Sequence, residues 1–251
     1  MNLILLEPDE VRDDGTAMMT GARAAHLRHV LRVSPGDDVR VGIVDGSSGR
    51  GTVISIDDDR AELQCRLDEM MPPRPAVDLL LALPRPKVLR RLWAQLATLG
   101  VGQIILTNAS RVERHYFDTH VLTEATYRAL LIEGLQQARD TRLPRVVIRR
   151  QFRPLVEDEL HGLFDGGARL VAHPGAQRSV AAVIRQHRES RALLAVGPEG
   201  GWNDFELDLL QAHGFQTVAM GARTLRTDTA CIALLALLHD ALQQETTAAE
   251  P

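Results

Sequence analysis

Apolar and polar positions keep one rhythm over the first 70 or so of the 251 residues and another after it. In the first stretch the apolar positions come in short, partly alternating runs over 3–6, 39–44, 52–56 and 61–67. Turn-forming clusters divide them: Ser34-Pro35-Gly36-Asp37, Asp45-Gly46-Ser47-Ser48-Gly49 and Ile56-Asp57-Asp58-Asp59-Arg60. Short strands with that punctuation predict a small β-barrel. One basic segment interrupts them, Arg23-Ala24-Ala25-His26-Leu27-Arg28-His29-Val30-Leu31-Arg32. It predicts a short amphipathic helix with Leu27, Val30 and Leu31 inward. Met70-Met71-Pro72-Pro73-Arg74-Pro75 closes the region, because three prolines in four residues continue neither strand nor helix. Two domains follow from this, 1–73 and 74–251.

After the prolines the period lengthens. Residues 77–83 are a near-continuous apolar run, as in a central parallel strand. Val88, Leu89, Leu92, Trp93, Leu96 and Leu99 then recur at helical spacing up to Gly100. Further strands are predicted over 101–106, 146–148, 169–172, 193–196 and 217–220. Helices are predicted over 120–139, 155–164, 179–187, 203–213 and 228–242. The fourth helix carries the clearest signals: Asn203 as cap, Glu206 three residues on, Trp202 placed to staple Leu207, and Gly214 to stop it. Strands alternating with helices predict an α/β domain with a doubly wound, mostly parallel sheet. The tail, 244–251, is expected to be disordered.

Composition narrows the class. No apolar run approaches the roughly 18 residues of a membrane span, and the first residues lack the basic region of a signal peptide. Cys65 and Cys231 stand far apart with no CxxC, which suits a reduced, cytoplasmic protein. His26 and His29 share a helix face without a cysteine or carboxylate partner, so no metal is expected. The net charge of −4 weighs against a nucleic-acid partner, but its distribution does not. Residues 1–73 hold 8 basic and 14 acidic side chains, 74–150 hold 13 and 6, and 151–251 hold 8 and 13. A basic middle third can still attract phosphate, since exposed charges more than about 8–10 Å apart are largely screened. Arg85-Pro86-Lys87-Val88-Leu89-Arg90-Arg91 is its densest part; it is either a solvated surface or, with helix N-terminal amides beside it, a phosphate contact.

The chemistry gathers in two loops near the C-terminus. Gly197-Pro198-Glu199-Gly200-Gly201 follows the strand at 193–196. Its three glycines admit a ligand close to the backbone. By itself this could be only a tight turn. A second loop follows the strand at 217–220: Gly221-Ala222-Arg223-Thr224-Leu225-Arg226-Thr227-Asp228-Thr229-Ala230, polar and charged beside a wholly apolar helix. Open α/β sheets bind ligands at the carboxyl ends of strands.

These two loops, in this order and about 25 residues apart, resemble the SPOUT-type methyltransferases. Within them the chain resembles the ribosomal RNA small subunit methyltransferase E family, which methylates N3 of a uridine in 16S rRNA. The second motif usually reads Leu-Arg-Thr-Glu-Thr-Ala in that family, and Asp228 here replaces the Glu. The first region is also similar, in a His followed by Val-Leu-Arg, a Gly-Asp turn and a strand ending in Asp-Gly. The resemblance implies a PUA-like β-barrel RNA-binding domain, then a SPOUT domain with a trefoil knot. It implies S-adenosylmethionine as cofactor, a homodimer completing the site, and 16S rRNA in the 30S subunit as partner. The cofactor would lie against Ala172, His173, Gly197, Pro198, Glu199, Gly200, Gly201, Met220, Gly221, Leu225, Thr229 and Ala230. His173 reads equally well as a plain turn residue. RNA would meet His26, Arg28, Arg32, Arg85, Lys87, Arg139 and Arg142. Arg226 is the candidate catalytic residue. Glu199 and Asp228 are the candidate carboxylates, Glu199 more readily as a partner of loop amides than as a base.

The chain departs from the family in two places. The family's Gln-Lys-x-x-Glu-Leu-Gly has Gln95 and Thr98 at its charged positions here. Its Glu-Gln-x-Gly-Arg corresponds to Gln136-Gln137-Ala138-Arg139-Asp140. These changes concern the target nucleotide and leave the cofactor loops untouched. Two alternatives remain open from the sequence: a SPOUT ribose 2′-O-methyltransferase, and an RNA-binding protein without catalysis. A nicotinamide-dependent enzyme is disfavoured, because no GxGxxG follows an early strand of the sheet.

Overall fold

The structure, a computed structural model, describes residues 3–187, 190–221 and 223–249. The chain forms two compact units, one of residues 1–74 with 132–143, the other of 75–131 with 144–251.

Five strands build the first unit: β1 (Ile4–Leu6), β2 (Thr16–Thr20), β3 (Asp38–Ile43), β4 (Ser48–Ile56) and β5 (Arg60–Leu67), in the order β1-β3-β4-β5-β2. The β1–β3 pair is parallel and the others are antiparallel. Alternation sends Val39, Val41, Val53, Ala61 and Leu63 into one core with Leu6 and Met19, and leaves the opposite face in water. β2 has no counterpart among the predicted strands. Ala17 and Met19 are buried, but the outward Met18 is also apolar, so the period of two is masked.

The basic segment also differs from its prediction. It winds as α1 (Ala22–Ala25) and then as a wider π turn over His26–Val30, closed by the Leu31 N–H on the His26 carbonyl. Each residue of a wider turn advances by a smaller angle. Leu31 therefore stays with Leu27 on the core side, while Val30 rotates out and is 64% exposed.

Residues 132–143 belong to this unit although they follow the prolines in sequence. The Leu3 N–H donates to the Gln136 carbonyl at 3.0 Å. Buried Thr141 donates its hydroxyl to the Gly46 carbonyl at 2.6 Å and accepts the Asp45 N–H on its own carbonyl at 2.8 Å.

The second unit contains β6 (Val77–Ala82), α2 (Pro86–Thr98), β7 (Val101–Thr107), the start of α3 (Glu124–Ala138), β8 (Arg145–Arg149), α4 (Phe152–Pro154), α5 (Leu160–Leu163), β9 (Ala168–Ala172), α6 (Val180–His187), β10 (Ala192–Val196), α7 (Asp204–Ala212), β11 (Gln216–Val218) and α8 (Thr227–Ala249). Its six strands run in the order β11-β9-β10-β6-β7-β8, and every pair is parallel. All positions of β6 and β10 are buried, which is why they read as unbroken apolar runs. Leu89, Leu92, Trp93 and Leu96 bury the inner stripe of α2, and the Trp93 indole N–H donates to the Val121 carbonyl at 3.2 Å. Buried Asp78 in β6 is held by Arg191 at 2.8 Å.

Three details depart from the expected spans. The helix predicted over 155–164 is a π turn over Leu155–Glu159 followed by α5, with α4 just before it. The strand predicted over 217–220 ends at Val218. The tail predicted to be disordered from residue 244 is helical through Ala249. No Gly or Pro precedes Pro251 there, so nothing in the sequence stops α8. Among the described residues no helix is long and apolar enough to cross a membrane, and no cluster of His, Cys, Asp and Glu could hold a metal ion.

Candidate functional site

The sheet order places β11, β9 and β10 side by side, so three carboxyl ends open at one edge. Parallel strands deliver their following loops to the same side, and a cavity of about 280 Å³ lies there. That is near the low end for small-molecule sites. The loop after β9 supplies Ala172, His173 and Pro174; the loop after β10 supplies residues 197–202; the segment after β11 supplies Ala219, Met220, Gly221 and Leu225. Thr227, Ala230 and Leu234 line it from the first turns of α8.

The loop after β10 is shaped by what it can exclude. A Cβ on Gly197 would stand 3.1 Å from the Trp202 backbone nitrogen, and one on Gly200 would stand 2.8 Å from Arg111 Cδ. Gly201 has φ +73°, a left-handed conformation that side-chain-bearing residues avoid. The loop then enters α7 through the expected capping box. Asn203 Oδ1 accepts the Glu206 N–H at 2.8 Å, and Glu206 Oε2 accepts the Asn203 N–H at 2.9 Å. Glu206 is 3% exposed, and its other oxygen accepts the Ser110 N–H at 2.6 Å. One buried carboxylate thus ties the loop after β7 to the loop after β10. The Trp202 ring lies against Phe152, with centroids 5.3 Å apart.

Of the residues proposed for the cofactor, Ala172, His173, Gly197, Pro198, Glu199, Gly200, Gly201, Met220, Gly221, Leu225 and Ala230 line the cavity, and Thr229 does not. The helical period explains the exception. Thr227 and Ala230 are three apart on one face of α8, whereas Thr229 turns outward and is exposed. Thr227, 5% exposed, takes the place assigned to it.

Arg111 was not among the sequence candidates. It lines the cavity and donates to the Gly200 carbonyl. The available signal was its position: Asn108-Ala109-Ser110-Arg111 follows β7, also at the carboxyl edge of the sheet.

The charged groups divide into held and free. Glu199 accepts the Arg85 N–H at 3.1 Å, at the N-cap of α2. Asp228 accepts from Arg91 at 2.9 Å and from the Thr229 N–H at 3.0 Å. Partial burial pushes the Asp228 carboxyl up, but the Thr229 N–H, the Arg91 hydrogen bond and the charges of Arg226 and Arg91 outweigh it, and its pKa falls below the ordinary value. Arg226 is 76% exposed in its side chain, with Nε 3.7 Å from Asp228, and lies outside the cavity wall. Lys87 is exposed on the first turn of α2. One turn beyond Asp228, the buried Cys231 thiol is pushed up to about 12, first by burial and then by the Asp228 charge.

In the first unit, His26 and Arg32 are exposed, and Arg28 pairs with Asp58 at 3.2 Å. Arg142 is half-buried and donates its Nε to the Pro72 carbonyl at 2.5 Å. Arg139 is exposed, just past α3, with φ +60°.

The cavity suits a nucleoside-type ligand. Its walls include loop glycines, the apolar side chains of Val196, Val218, Leu225 and Leu234, and the polar Arg111 and Thr227. The Trp202 indole N–H is a buried donor on its wall that no protein group accepts. A parallel α/β sheet with such a cleft at its carboxyl edge defines a class of nucleotide- and cofactor-binding domains. The chain belongs to the RNA methyltransferase domain family, whose model matches residues 72–239; the RNA methyltransferase PUA domain matches residues 20–64.

Relatives agree in kind. The chain is 29% identical over 248 residues to the ribosomal RNA small subunit methyltransferase E of Treponema pallidum, covering 95% of this chain and 90% of that one. It is 28% identical over 241 residues to the protein of the same name from Mycobacterium bovis, covering 94% and 90%. Among solved structures it is similar to a ribosomal RNA small subunit methyltransferase E from Neisseria gonorrhoeae bound to S-adenosyl methionine. There the TM-score is 0.76 at 22% identity, over 96% of this chain and 97% of that one.

Proposed function

We propose that this protein methylates N3 of a uridine in 16S rRNA of the 30S subunit, with S-adenosylmethionine as donor. One observation carries the reading: three glycine-bearing or strand-end loops meet in one apolar, backbone-walled cleft in a chain of the RNA methyltransferase family. The cofactor supplies an electrophilic methyl group on a sulfonium. The residues do the rest. Backbone of the loops after β9, β10 and β11 holds the adenosyl part, and the Trp202 N–H offers a further donor.

The nitrogen N3 of uracil is protonated and a poor nucleophile at neutral pH. As its proton passes to solvent water, negative charge spreads onto the neighbouring carbonyl oxygens. The Arg226 guanidinium opposes that charge, a type of stabilisation worth about 10²–10³ in rate. It stays protonated and so takes no proton itself. Asp228 is a weak proton acceptor with its pKa lowered. Its place beside Arg91 and Arg226 suits orienting the arginine instead. Glu199 is committed to the Arg85 amide. Holding N3 in line with the methyl supplies much of the remaining acceleration.

The same reading includes a cytoplasmic homodimer whose second copy completes the site, and a trefoil knot in the second unit. Sedimentation equilibrium tests the dimer. The activity is tested by supplying methyl-labelled cofactor and 30S subunits from cells lacking this protein, then identifying the labelled nucleoside. N3-methyluridine supports the reading. A 2′-O-methyl nucleoside would replace it with ribose methylation, and cofactor binding without transfer to any RNA would leave RNA binding alone.

A further inference from the structure

An arginine row crosses the solvent face of the first unit. Arg40 in β3 is the direct partner of Arg50 in β4, and Arg50 is the direct partner of Arg66 in β5. All three are exposed, on the face opposite the core. Neighbouring strands lie about 4.8 Å apart, so the three stems stand in a line roughly 10 Å long. Like charges directly opposite each other across strands weaken a sheet. A row of three is therefore a liability unless something negative lies on it.

The protein supplies little of that. Asp38 pairs with Arg50 at 2.9 Å and accepts the Thr52 hydroxyl at 2.7 Å. Among the described residues Arg40 and Arg66 have no ion pair. The row lines a broad recess that also takes in Asp68 and Arg139. Arg139 occupies the position just after α3 with φ +60°, where glycine is the unstrained choice. Strain held at such a position is a mark of use. Four guanidiniums thus face two carboxylates in one recess, and three of the four come from a stretch whose overall balance is acidic.

We propose that this row, with Arg139, is a phosphate-binding track for the RNA substrate, separate from the His26, Arg28 and Arg32 segment. Guanidinium forks suit phosphate oxygens. Three of them on successive strands can meet successive phosphates of one RNA strand, with Asp38 fixing the middle one. The contacts are to backbone, so they position the RNA and carry no base preference. The inference rests on the RNA methyltransferase reading and says where that enzyme grips its substrate.

The test uses the full chain, fluorescein-labelled 16S rRNA fragments and whole 30S subunits. Arg40→Gln/Arg66→Gln is compared with wild type by anisotropy across a salt series, and Arg139→Gly serves as a second variant. The double variant should bind RNA roughly tenfold more weakly near 0.1 M salt. Its slope of log affinity against log salt should be smaller by about 1.5, near 0.7 per lost contact on a single strand. Arg139→Gly should lose about half as much slope while melting no lower than wild type, since the strain is relieved. Cofactor affinity, measured separately by calorimetry, should be unchanged in both. An unaltered RNA affinity and salt slope in the double variant, with cofactor binding and methyl transfer intact, would overturn the track and leave the enzyme reading standing. Wild-type protein that binds neither RNA nor cofactor would overturn both.

Discussion

The two sheets of this protein handle their faces differently. In the second unit β6 and β10 are buried at every position, because helices cover a parallel sheet on both sides. These central strands have no surface left to offer, and chemistry collects where the strands end. In the first unit β3, β4 and β5 alternate, with one face in the core and the other in water. There the face itself is available, and it carries Arg40, Arg50 and Arg66 in register. The lesson is that one chain can place a small-molecule cleft on an edge and a charged track on a face, each where its sheet type leaves room.

The contrast can be sharpened from the edge first. Arg226→Ala should lower the methyl-transfer rate about 10²–10³-fold while the cofactor dissociation constant stays within a few-fold, because the side chain lies outside the cavity. Parallel loss of cofactor binding would show that Arg226 builds the cleft. Glu206→Ala removes a buried carboxylate that accepts two backbone N–H groups, from Asn203 at 2.9 Å and from Ser110 at 2.6 Å. The Ser110 N–H belongs to the loop after β7 and not to the α7 cap, so the variant should lose about 2–3 kcal/mol in denaturant unfolding. A loss below about 0.5 kcal/mol would contradict the tie between the loops.

Smaller effects follow. Cys231, with its thiol pushed up to about 12, should resist alkylation at pH 8 in native protein and react once the chain is unfolded. Rapid native labelling would mean that α8 opens. Asp228 has a lowered folded-state pKa, so its contribution is fully present above its unfolded value of about 3.9 and is lost as pH falls through the lower folded value. Asp228→Asn should therefore be less stable than wild type at pH 7 and should converge with it as pH falls through the lowered folded value. A stability difference independent of pH would place the effect elsewhere.

Much of the edge was legible in sequence because its signals are local. The Asn203 and Glu206 box, the apolar runs of β6 and β10 and the two loops each lie within a few consecutive residues. What escaped depends on distance or on phase. The bond from Ser110 to Glu206 spans 96 residues, and Arg111 meets Gly200 across 89. Thr229 and Thr227 differ only by where the helix turns, and Val30 was misplaced by a wider turn that no residue type announces. The arginine row was hidden most thoroughly. Arg40, Arg50 and Arg66 sit far apart in a stretch with 14 acidic and 8 basic side chains, and only strand register brings them into line.

The central claim is that the cofactor lies in the cleft at the ends of β9, β10 and β11. Calorimetric titration of S-adenosylmethionine into wild type, Gly197→Val and Ala230→Leu, without RNA, tests it most directly. Ala230→Leu adds side-chain atoms at the cavity wall from the first turn of α8, and Gly197→Val crowds the loop after β10, where a Cβ would stand 3.1 Å from the Trp202 backbone nitrogen. The expected result is saturable binding by wild type and at least hundredfold weaker binding by both variants, with little change in melting temperature for Ala230→Leu. Unchanged affinity in two folded variants would place the cofactor somewhere else.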